Sequence, residues 1–231
     1  MSPHPQARAA LIIPALNEEQ SIGRAMAEIP PDLYSQILVV DNGSTDRTAA
    51  VSTAAGATVV SEPRRGYGSA CLRGIAALNP STDVVVFMDA DASDVPAEAV
   101  ALIQPIVEGR ADLVLGSRTL GQSEAGALLP QQRFGNRLAT TLIRLLYGHR
   151  YTDLGPFRAI RSSSLRQLGM RDPGYGWTIE MQIKALRKGL RVLEAPVSYR
   201  RRIGTSKISG NLRASLAAGA KILWTVLRLL V

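Results

Sequence analysis

The sequence predicts an α/β fold in which helices flank a mainly parallel sheet. Short apolar runs alternate with segments of helical periodicity through the first 118 residues, and this alternation is typical of βαβ units. The apolar runs predicted as buried strands are 11–16, 36–40, 57–60, 83–88 and 112–115. The helices predicted between them are 21–29, 45–55, 69–78 and 96–108.

The second half of the chain is predicted to begin with a loop. Residues 119–130 contain glycines and are the expected mobile segment or boundary. After this loop the sequence predicts, in chain order, a helix at 131–147, an irregular stretch, a helix near 179–188, a strand around 191–199 and a long helix from Asn211.

Charge divides the chain into two unlike halves. Residues 1–120 carry 8 Lys and Arg against 14 Asp and Glu, whereas residues 121–231 carry 19 against 5. The acidic half offers carboxylates that a divalent cation could use. The basic half would attract phosphates, a nucleic acid or an anionic membrane surface.

Composition also limits the compartment and the kind of metal site. Cys71 is the only cysteine, so no intrachain disulfide can form and a reducing compartment is expected. With only His4 and His149, a histidine-cluster metal site is excluded, and a metal would have to bind carboxylates. The sequence has no signal-peptide pattern and no run of about 18 apolar residues. We therefore expect a soluble or peripheral protein.

The strongest chemical motif is a pair of aspartates at a predicted strand end. Asp89 and Asp91 directly follow the apolar run 84–88, and ligands bind at the carboxyl ends of parallel strands. Two carboxylates at this spacing can share Mg²⁺ or Mn²⁺, with phosphate oxygens completing the shell. The structural alternative is that Asp91, Ser93 or Asp94 caps the helix that begins near Pro96.

The segment after the second predicted strand suits either a turn or a ligand. Gly43 permits a tight turn, and Ser44 or Thr45 can cap the following helix. Asp41, at the strand end, could accept hydrogen bonds from a nucleobase or ribose. Taken alone, the segment favours the capping interpretation.

Charged residues follow the first and third predicted strands as well. Glu18 and Glu19 lie near a helix N-terminus, where acidic side chains interact favourably with the helix dipole. Arg64 and Arg65 lie beside glycines and suit an anionic ligand.

Considered together, these segments resemble a known enzyme family. LIIPALNEE, VVDNGSTDRT, EPRRGYGSACLRG, FMDAD and LVLGSR occur in the order and spacing of family 2 glycosyltransferases. TDLGPFRAI, GWTIEMQIKAL and PVSYRRRIGTSK are similar to the dolichol-phosphate mannosyltransferase-like (polyprenyl-phosphate glycosyltransferase) branch. The resemblance covers residues 10–210. It implies a GT-A fold, Rossmann-like, and inverting, metal-dependent transfer of a hexose from a GDP- or UDP-linked sugar to a polyprenyl or dolichyl phosphate.

The resemblance also implies roles for individual residues. Mg²⁺ or Mn²⁺ would bind Asp89 and Asp91, and Arg118 would join them in the catalytic set, facing the donor phosphates. The implied donor-binding residues are Pro14, Leu16, Glu18, Asp41, Arg65, Asp89, Ala90 and Asp91. The implied ligands of the acceptor phosphate are Arg133, Arg201, Ser206 and Lys207.

Two departures from the branch pattern affect these expectations. Ser93, followed by Asp94, stands where the branch has glutamine, so either residue could complete the metal shell. Asp153 precedes Phe157 and Arg158 by one residue fewer than in the branch, so the acceptor or sugar preference could differ.

The basic half contains two predicted amphipathic helices. On the first, Arg133, Arg137 and Arg144 share a face next to Phe134, Leu138, Leu142 and Leu145. On the C-terminal helix, Arg213, Lys221, Arg228 and Trp224 flank the stripe Leu212, Leu216, Leu223, Leu227 and Leu230. Such helices can lie in the headgroup region of a membrane. Packing against their own domain and a dimer interface are the alternatives.

We therefore expect a GT-A domain at 1–210 and a C-terminal amphipathic helix at 211–231. Within the domain, about 1–118 would bind the nucleotide sugar and about 119–210 the acceptor. The expected location is cytoplasmic, peripheral at the cytoplasmic face of the membrane, with an oligomer or a membrane-protein partner possible.

Other functions remain as alternatives. The same family includes enzymes whose acceptor is a saccharide or soluble hydroxyl, and a non-catalytic protein could use the basic half to bind a membrane or a nucleic acid. With aromatic residues at 5% of the chain, base-stacking surfaces are hard to build, so no nucleic acid partner is expected. An NAD-dependent enzyme is disfavoured because G-x-G-x-x-G is absent after the first strand. A sugar-nucleotide pyrophosphorylase is disfavoured because PALNEE there is acidic.

Overall fold

The computed structural model describes residues 7–204 and 212–230. Within them, 7 strands form one sheet in the order β3-β2-β1-β4-β6-β5-β7. All neighbouring strands are parallel except β6, which is antiparallel to β4 and β5. The strands are β1 (Ala9–Ala15), β2 (Gln36–Asp41), β3 (Thr58–Ser61), β4 (Val84–Phe87), β5 (Leu113–Ser117), β6 (Arg158–Arg161) and β7 (Val192–Pro196).

Helices cover both faces of this sheet. A short 3-10 turn, Pro96–Glu98, leads directly into α4. The α-helices are α1 (Ile22–Ala27), α2 (Thr48–Ala54), α3 (Tyr67–Ala76), α4 (Ala99–Val107), α5 (Pro130–Tyr147), α6 (Ser162–Leu168), α7 (Trp177–Arg187) and α8 (Leu212–Arg228). The predicted α/β class with a mainly parallel sheet is confirmed.

The prediction of an irregular stretch between the helices now labelled α5 and α7 was wrong in part, because this stretch contains β6 and α6. Strand β6 reads RAIR, too short and too charged to show an apolar run. It is nevertheless central, since Ile160 pairs with Val85 on one side and with Leu113 on the other. An antiparallel strand inserted into a parallel sheet is specified by these long-range pairings and not by its local pattern.

Helix α2 begins later than the sequence predicted. The side chain of Asp46 accepts hydrogen bonds from the backbone N (2.9 Å) and Oγ1 (2.5 Å) of Thr48. Residues 45–47 therefore precede the helix as a bend that Asp46 stabilises, and a short polar side chain used this way favours the turn over the helix.

The sheet separates two apolar layers. Alternate residues of β1 point to opposite faces, so Leu11 and Ile13 pack in one layer while Ile12 packs in the other. The second layer also contains Cys71, and burial raises the pKa of its thiol. Trp177 packs there edge-on against Phe87, with ring centroids 4.7 Å apart, and so ties α7 to β4.

Helix α8 packs against α5 and α7 through one face. Thr225 and Val226 are buried there, and the Tyr147 hydroxyl donates to the carbonyl of Val226 (2.7 Å). Another face leaves Trp224 51% and Leu227 55% exposed. The side chains of Leu212 and Leu216, from the predicted stripe, and of Arg213, predicted to flank it, lie outside the described part of the structure. In the described residues, no helix is both long and apolar enough to cross a membrane.

Candidate active site

A cavity of about 600 Å³, hereafter the first cavity, lies at the carboxyl ends of β1 and β4. Seven of the predicted donor-binding residues line it, namely Pro14, Leu16, Glu18, Arg65, Asp89, Ala90 and Asp91. Lining residues that the sequence did not single out include Asn42, Tyr67, Pro173, Gly174, Tyr175 and Arg202. The parallel sheet thus brings the acidic strand ends to one edge.

The two aspartates are held by a strained turn. Ala92 has a φ of 59°, and this left-handed conformation costs a residue with a Cβ about 1–2 kcal/mol. The turn lets Ser93 donate from its backbone N (3.0 Å) and Oγ (2.5 Å) to Oδ1 of Asp91. Asp91 is therefore fixed through one carboxylate oxygen, while its other oxygen faces Arg202, with Oδ2 3.3 Å from Nη1.

Three carboxyl groups, those of Asp89, Asp91 and Asp94, are crowded together in this turn, hereafter the acidic turn (residues 89–94). Burial, followed by repulsion from Asp91, raises the pKa of Asp89 to about 7. Asp94 is buried, and burial together with Asp89 and Asp91 raises its pKa well above the usual range. A bound cation would relieve this repulsion, because it favours the ionised carboxylates.

The donor chemistry of the turn fits a divalent cation that is shared with a diphosphate. Hard oxygen ligands suit Mg²⁺ or Mn²⁺. The described residues contain no group of three His, Cys, Asp or Glu placed to hold a metal, so Asp94 does not complete a trio with Asp89 and Asp91. The Ser93 hydroxyl donates to Asp91. Ligand oxygens from outside the protein would therefore have to fill the rest of the shell.

The wall of the first cavity beside β2 is built around Asn42. Its Nδ2 donates to the carbonyls of Glu62 (2.9 Å) and Arg64 (2.8 Å), and its Oδ1 accepts from the backbone N of Gly66 (2.8 Å). Asp41, the predicted donor ligand, instead accepts from the backbone N of Ser44 (3.0 Å) and is not among the residues that line the cavity. Asp41 thus stabilises a turn, but the predicted capping by Ser44 or Thr45 was wrong, because the N-cap of α2 is Arg47, and the Ser44 hydroxyl instead accepts from the backbone N of Asn17 (3.0 Å).

Another part of the cavity wall comes from the loop before α7. The backbone N of Ser69 donates to the carbonyl of Pro173 (2.9 Å). A Cβ on Gly68 would lie 2.0 Å from the carbonyl oxygen of Asp172, so only glycine allows α3 to approach this loop so closely. Lys221 of α8 forms an ion pair with the buried Asp172 (2.9 Å), which links the C-terminal helix to the same wall.

A second cavity of about 480 Å³ lies between the end of β5 and α5. Arg118, Arg133 and Arg137 line it together with Asp153. Asp153 is buried and accepts from Nε (2.7 Å) and Nη2 (2.8 Å) of Arg118. Such a bidentate pair fixes the guanidinium plane. Arg118 therefore borders the second cavity in this structure and is not among the residues that line the first.

Tyr199 contacts both Arg118 and the acidic turn. The guanidinium carbon of Arg118 lies 5.0 Å from the centre of its ring, and its backbone bridges to Asp94. The charge of Arg118 also acts to lower the pKa of Asp89. Arg118 of the second cavity and the acidic turn are thus electrostatic neighbours.

The predicted acceptor ligands near the C-terminus are only partly described. Arg201 donates from its backbone N to Glu124 (2.9 Å) and from Nε to the carbonyl of Ala125 (2.7 Å). It therefore anchors the 119–130 loop and does not line the second cavity. Ser206 and Lys207 lie outside the described residues.

Comparison with known proteins identifies the family. The model for glycosyl transferase family 2 matches residues 10–169. The chain belongs to glycosyl transferase family 2. It is therefore a glycosyltransferase, and its sheet with one antiparallel inner strand is the predicted GT-A fold.

Relatives and solved structures agree with this family. The chain is 39% identical over 210 residues to an uncharacterized glycosyltransferase of Mycobacterium tuberculosis, covering 90% of this chain and 93% of that protein. It is 31% identical to the undecaprenyl-phosphate mannosyltransferase of Micrococcus luteus, with 89% of both chains covered. This similarity confirms the predicted resemblance to the polyprenyl-phosphate branch.

A crystal structure of glucosyl-3-phosphoglycerate synthase from Mycobacterium tuberculosis, in complex with Mn²⁺, uridine diphosphate and phosphoglyceric acid, superposes with a TM-score of 0.78 at 26% identity. The match covers 97% of this chain and 78% of that one. The similarity extends over nearly the whole chain and supports the fold assignment.

Proposed function

We propose that this glycosyltransferase transfers a hexose from a GDP- or UDP-linked sugar to a polyprenyl phosphate, with inversion at the anomeric carbon and a divalent cation at Asp89 and Asp91. The first cavity would bind the nucleotide sugar. The cation would neutralise negative charge on the diphosphate as it leaves. The second cavity would bind the acceptor phosphate through Arg133.

The observation that best supports a phosphate acceptor is that both carboxylate oxygens of Asp153 are already hydrogen-bonded to Arg118. A hydroxyl acceptor usually needs a general base within reach. Among the described residues that line the second cavity, Asp153 is the one carboxylate, and both of its oxygens accept from Arg118. A phosphate monoester needs no base, because with a second pKa of about 6 it is already an anion at neutral pH.

The chain's own residues would then act by positioning and electrostatics. Asp153 fixes Arg118, and Ser93 fixes Asp91, so the charged groups would need little rearrangement during the reaction. Arg118 and Arg133 would attract the acceptor phosphate towards the acidic turn. An oxygen of the acceptor phosphate would attack the anomeric carbon on the face opposite the nucleoside diphosphate. The bond from this carbon to the diphosphate would break as the new bond forms.

A peripheral position on the cytoplasmic face of a membrane accompanies this proposal. Helix α5 exposes Phe134 (70%) and Leu145 (73%), and α8 exposes Trp224, over which Lys221 and Arg228 stack. Basic amphipathic helices with an interfacial tryptophan bind anionic lipid surfaces. The second cavity opens beside α5, so a lipid acceptor in that surface would meet it there.

The Arg133→Ala variant tests the role of the second cavity. We expect its KM for a short, detergent-dispersed polyprenyl phosphate to rise about tenfold, because a charge-assisted phosphate contact is lost. The KM for the nucleotide sugar should stay within about twofold, since Arg133 does not line the first cavity. Steady-state kinetics with each substrate varied in turn would measure both constants.

Arg144→Ala is the matched control, because Arg144 lies on the same helix but does not line the cavity. Detergent-dispersed acceptor removes any contribution of membrane docking. A rise in the KM of the nucleotide sugar instead of the lipid would contradict the assignment of the second cavity.

A further inference from the structure

Arg202 enters the first cavity from the segment that follows β7. Two backbone hydrogen bonds fix this segment against the acidic turn. The backbone N of Arg200 donates to the carbonyl of Ser93 (2.8 Å), and that of Ile203 donates to the carbonyl of Asp91 (3.0 Å). The backbone of Arg202 is therefore held beside Asp91.

The guanidinium of Arg202 lies between two acidic residues from distant parts of the chain. Its Nη2 is 3.1 Å from Oε1 of Glu18, and its Nη1 is 3.3 Å from Oδ2 of Asp91. Both carboxylates are buried, whereas the arginine side chain is about one-third exposed. Arg202 thus compensates the charge of these two carboxylates.

Arg202 and a divalent cation would use the same atom. Oδ1 of Asp91 already accepts two hydrogen bonds from Ser93, so Oδ2 is the oxygen left for a metal. In this structure the guanidinium faces Oδ2. A cation that approached it would meet a positive charge at contact distance, and the two charges repel.

Arg202 also has unused hydrogen-bonding capacity. Its buried Nε has no hydrogen-bond partner in the part of the chain that the structure describes. A guanidinium presents five donors in a planar fork that matches phosphate oxygens. A diphosphate in the first cavity would offer acceptors to the donors that the carboxylates leave unsatisfied.

We propose that Arg202 is a donor-site switch, which holds Asp91 and Glu18 in the absence of ligands and moves onto the diphosphate when the divalent cation takes Oδ2 of Asp91. This inference rests on the proposed metal-dependent donor site. With this switch, cation binding is weak in the absence of nucleotide. When a nucleotide binds, its diphosphate offers the guanidinium another anion in place of Asp91. Arg202 would thereby couple binding of the metal to binding of the nucleotide.

Binding measurements on Arg202→Met test the switch without any sugar transfer. We expect Mn²⁺ to bind the nucleotide-free variant about fivefold more tightly than the wild type, since a competing ion pair is removed. In the presence of Mn²⁺, UDP and GDP should bind the variant at least about tenfold more weakly, because a charge-assisted contact to phosphate is lost. Electron paramagnetic resonance of free Mn²⁺ and calorimetry of the nucleotides would measure these two constants.

Arg65→Met is the charge-matched control. Arg65 lines the same cavity, but its guanidinium donates to the carbonyl of Gly43 (2.8 Å) and not to a carboxylate. Its loss removes one positive charge without freeing Asp91, so the gain in Mn²⁺ affinity should be smaller than for Arg202→Met. Arg202→Lys, which keeps the charge, should restore wild-type Mn²⁺ affinity in the absence of nucleotide.

The possible outcomes separate the switch from the function on which it rests. Opposite changes in Mn²⁺ and nucleotide affinity support the switch, because a purely structural ion pair would not tighten metal binding. Unchanged or weaker Mn²⁺ binding in Arg202→Met overturns the switch, even if nucleotide binding by the wild type still needs Mn²⁺. Metal-independent nucleotide binding and turnover by the wild type would overturn the proposed function as well.

Discussion

Replacing Asp91 by asparagine is expected to reduce sugar transfer by about three orders of magnitude, because the diphosphate would lose its charge-neutralising cation. Asparagine has nearly the same shape, and its side-chain oxygen can still accept from the backbone N and hydroxyl of Ser93. The substitution therefore removes the negative charge and leaves the turn in place. Release of nucleotide at saturating donor, with Mg²⁺ or Mn²⁺, would measure the loss.

Asp83→Asn provides the matched control for this prediction. Asp83 precedes the same strand, β4, at its opposite end, where it forms an exposed ion pair with Arg8. We expect the control to retain full transfer activity. An Asp91→Asn enzyme with more than about a tenth of wild-type turnover would contradict a metal role for Asp91.

Replacing Arg158 by methionine is expected to destabilise the fold by about 3 kcal/mol, since buried carbonyl groups would lose their donor. Arg158 is fully buried, and burial lowers the pKa of its guanidinium. It donates to the carbonyls of Pro156 (3.2 Å), Thr178 (2.9 Å) and Gly155. Methionine fills much of the volume but satisfies none of these acceptors. Equilibrium unfolding in urea would measure the change in the free energy of unfolding.

Arg166→Met is the control for Arg158→Met. Arg166 is exposed on the neighbouring helix α6 and donates to the Ser162 hydroxyl (2.9 Å). Its loss should change the free energy of unfolding by no more than about 0.5 kcal/mol. A loss below about 1 kcal/mol in Arg158→Met would show that the carbonyls find other donors, such as water.

The fold was predictable where local pattern and tertiary structure agree. Strands β1, β2 and β4 are apolar runs that the sheet buries on both faces, and parallel strands of this kind read clearly in sequence. Strand β6 was not predictable, because the arginines at its two ends form hydrogen bonds with residues that are distant in the sequence. Arg158 donates to the carbonyl of Thr178 (2.9 Å), and Arg161 donates to the carbonyl of Ile106 (2.6 Å).

The site residues at the strand ends were predictable from the sequence, whereas those that line the cavity from other parts of the chain were not. Asp89 and Asp91 follow directly from the apolar strand before them. The wall formed by Pro173 and Tyr175 depends on the close approach of α3, which Gly66 and Gly68 permit, and no local signal marks it. Arg202 reaches Glu18 across 184 residues of sequence. Asn42 is the exception, because an asparagine directly after an apolar strand is a local signal for a residue that holds a loop in place.

The central claim is that a polyprenyl phosphate is the acceptor for a metal-bound nucleotide sugar. Nucleotide release measured over a panel of UDP- and GDP-linked sugars, with and without polyprenyl phosphate and divalent cation, tests it most directly. 3-Phosphoglycerate and a simple sugar are the comparison acceptors. We expect one donor to respond to the lipid phosphate only when Mg²⁺ or Mn²⁺ is present. Release that responds to 3-phosphoglycerate or the sugar but not to the lipid phosphate would contradict it.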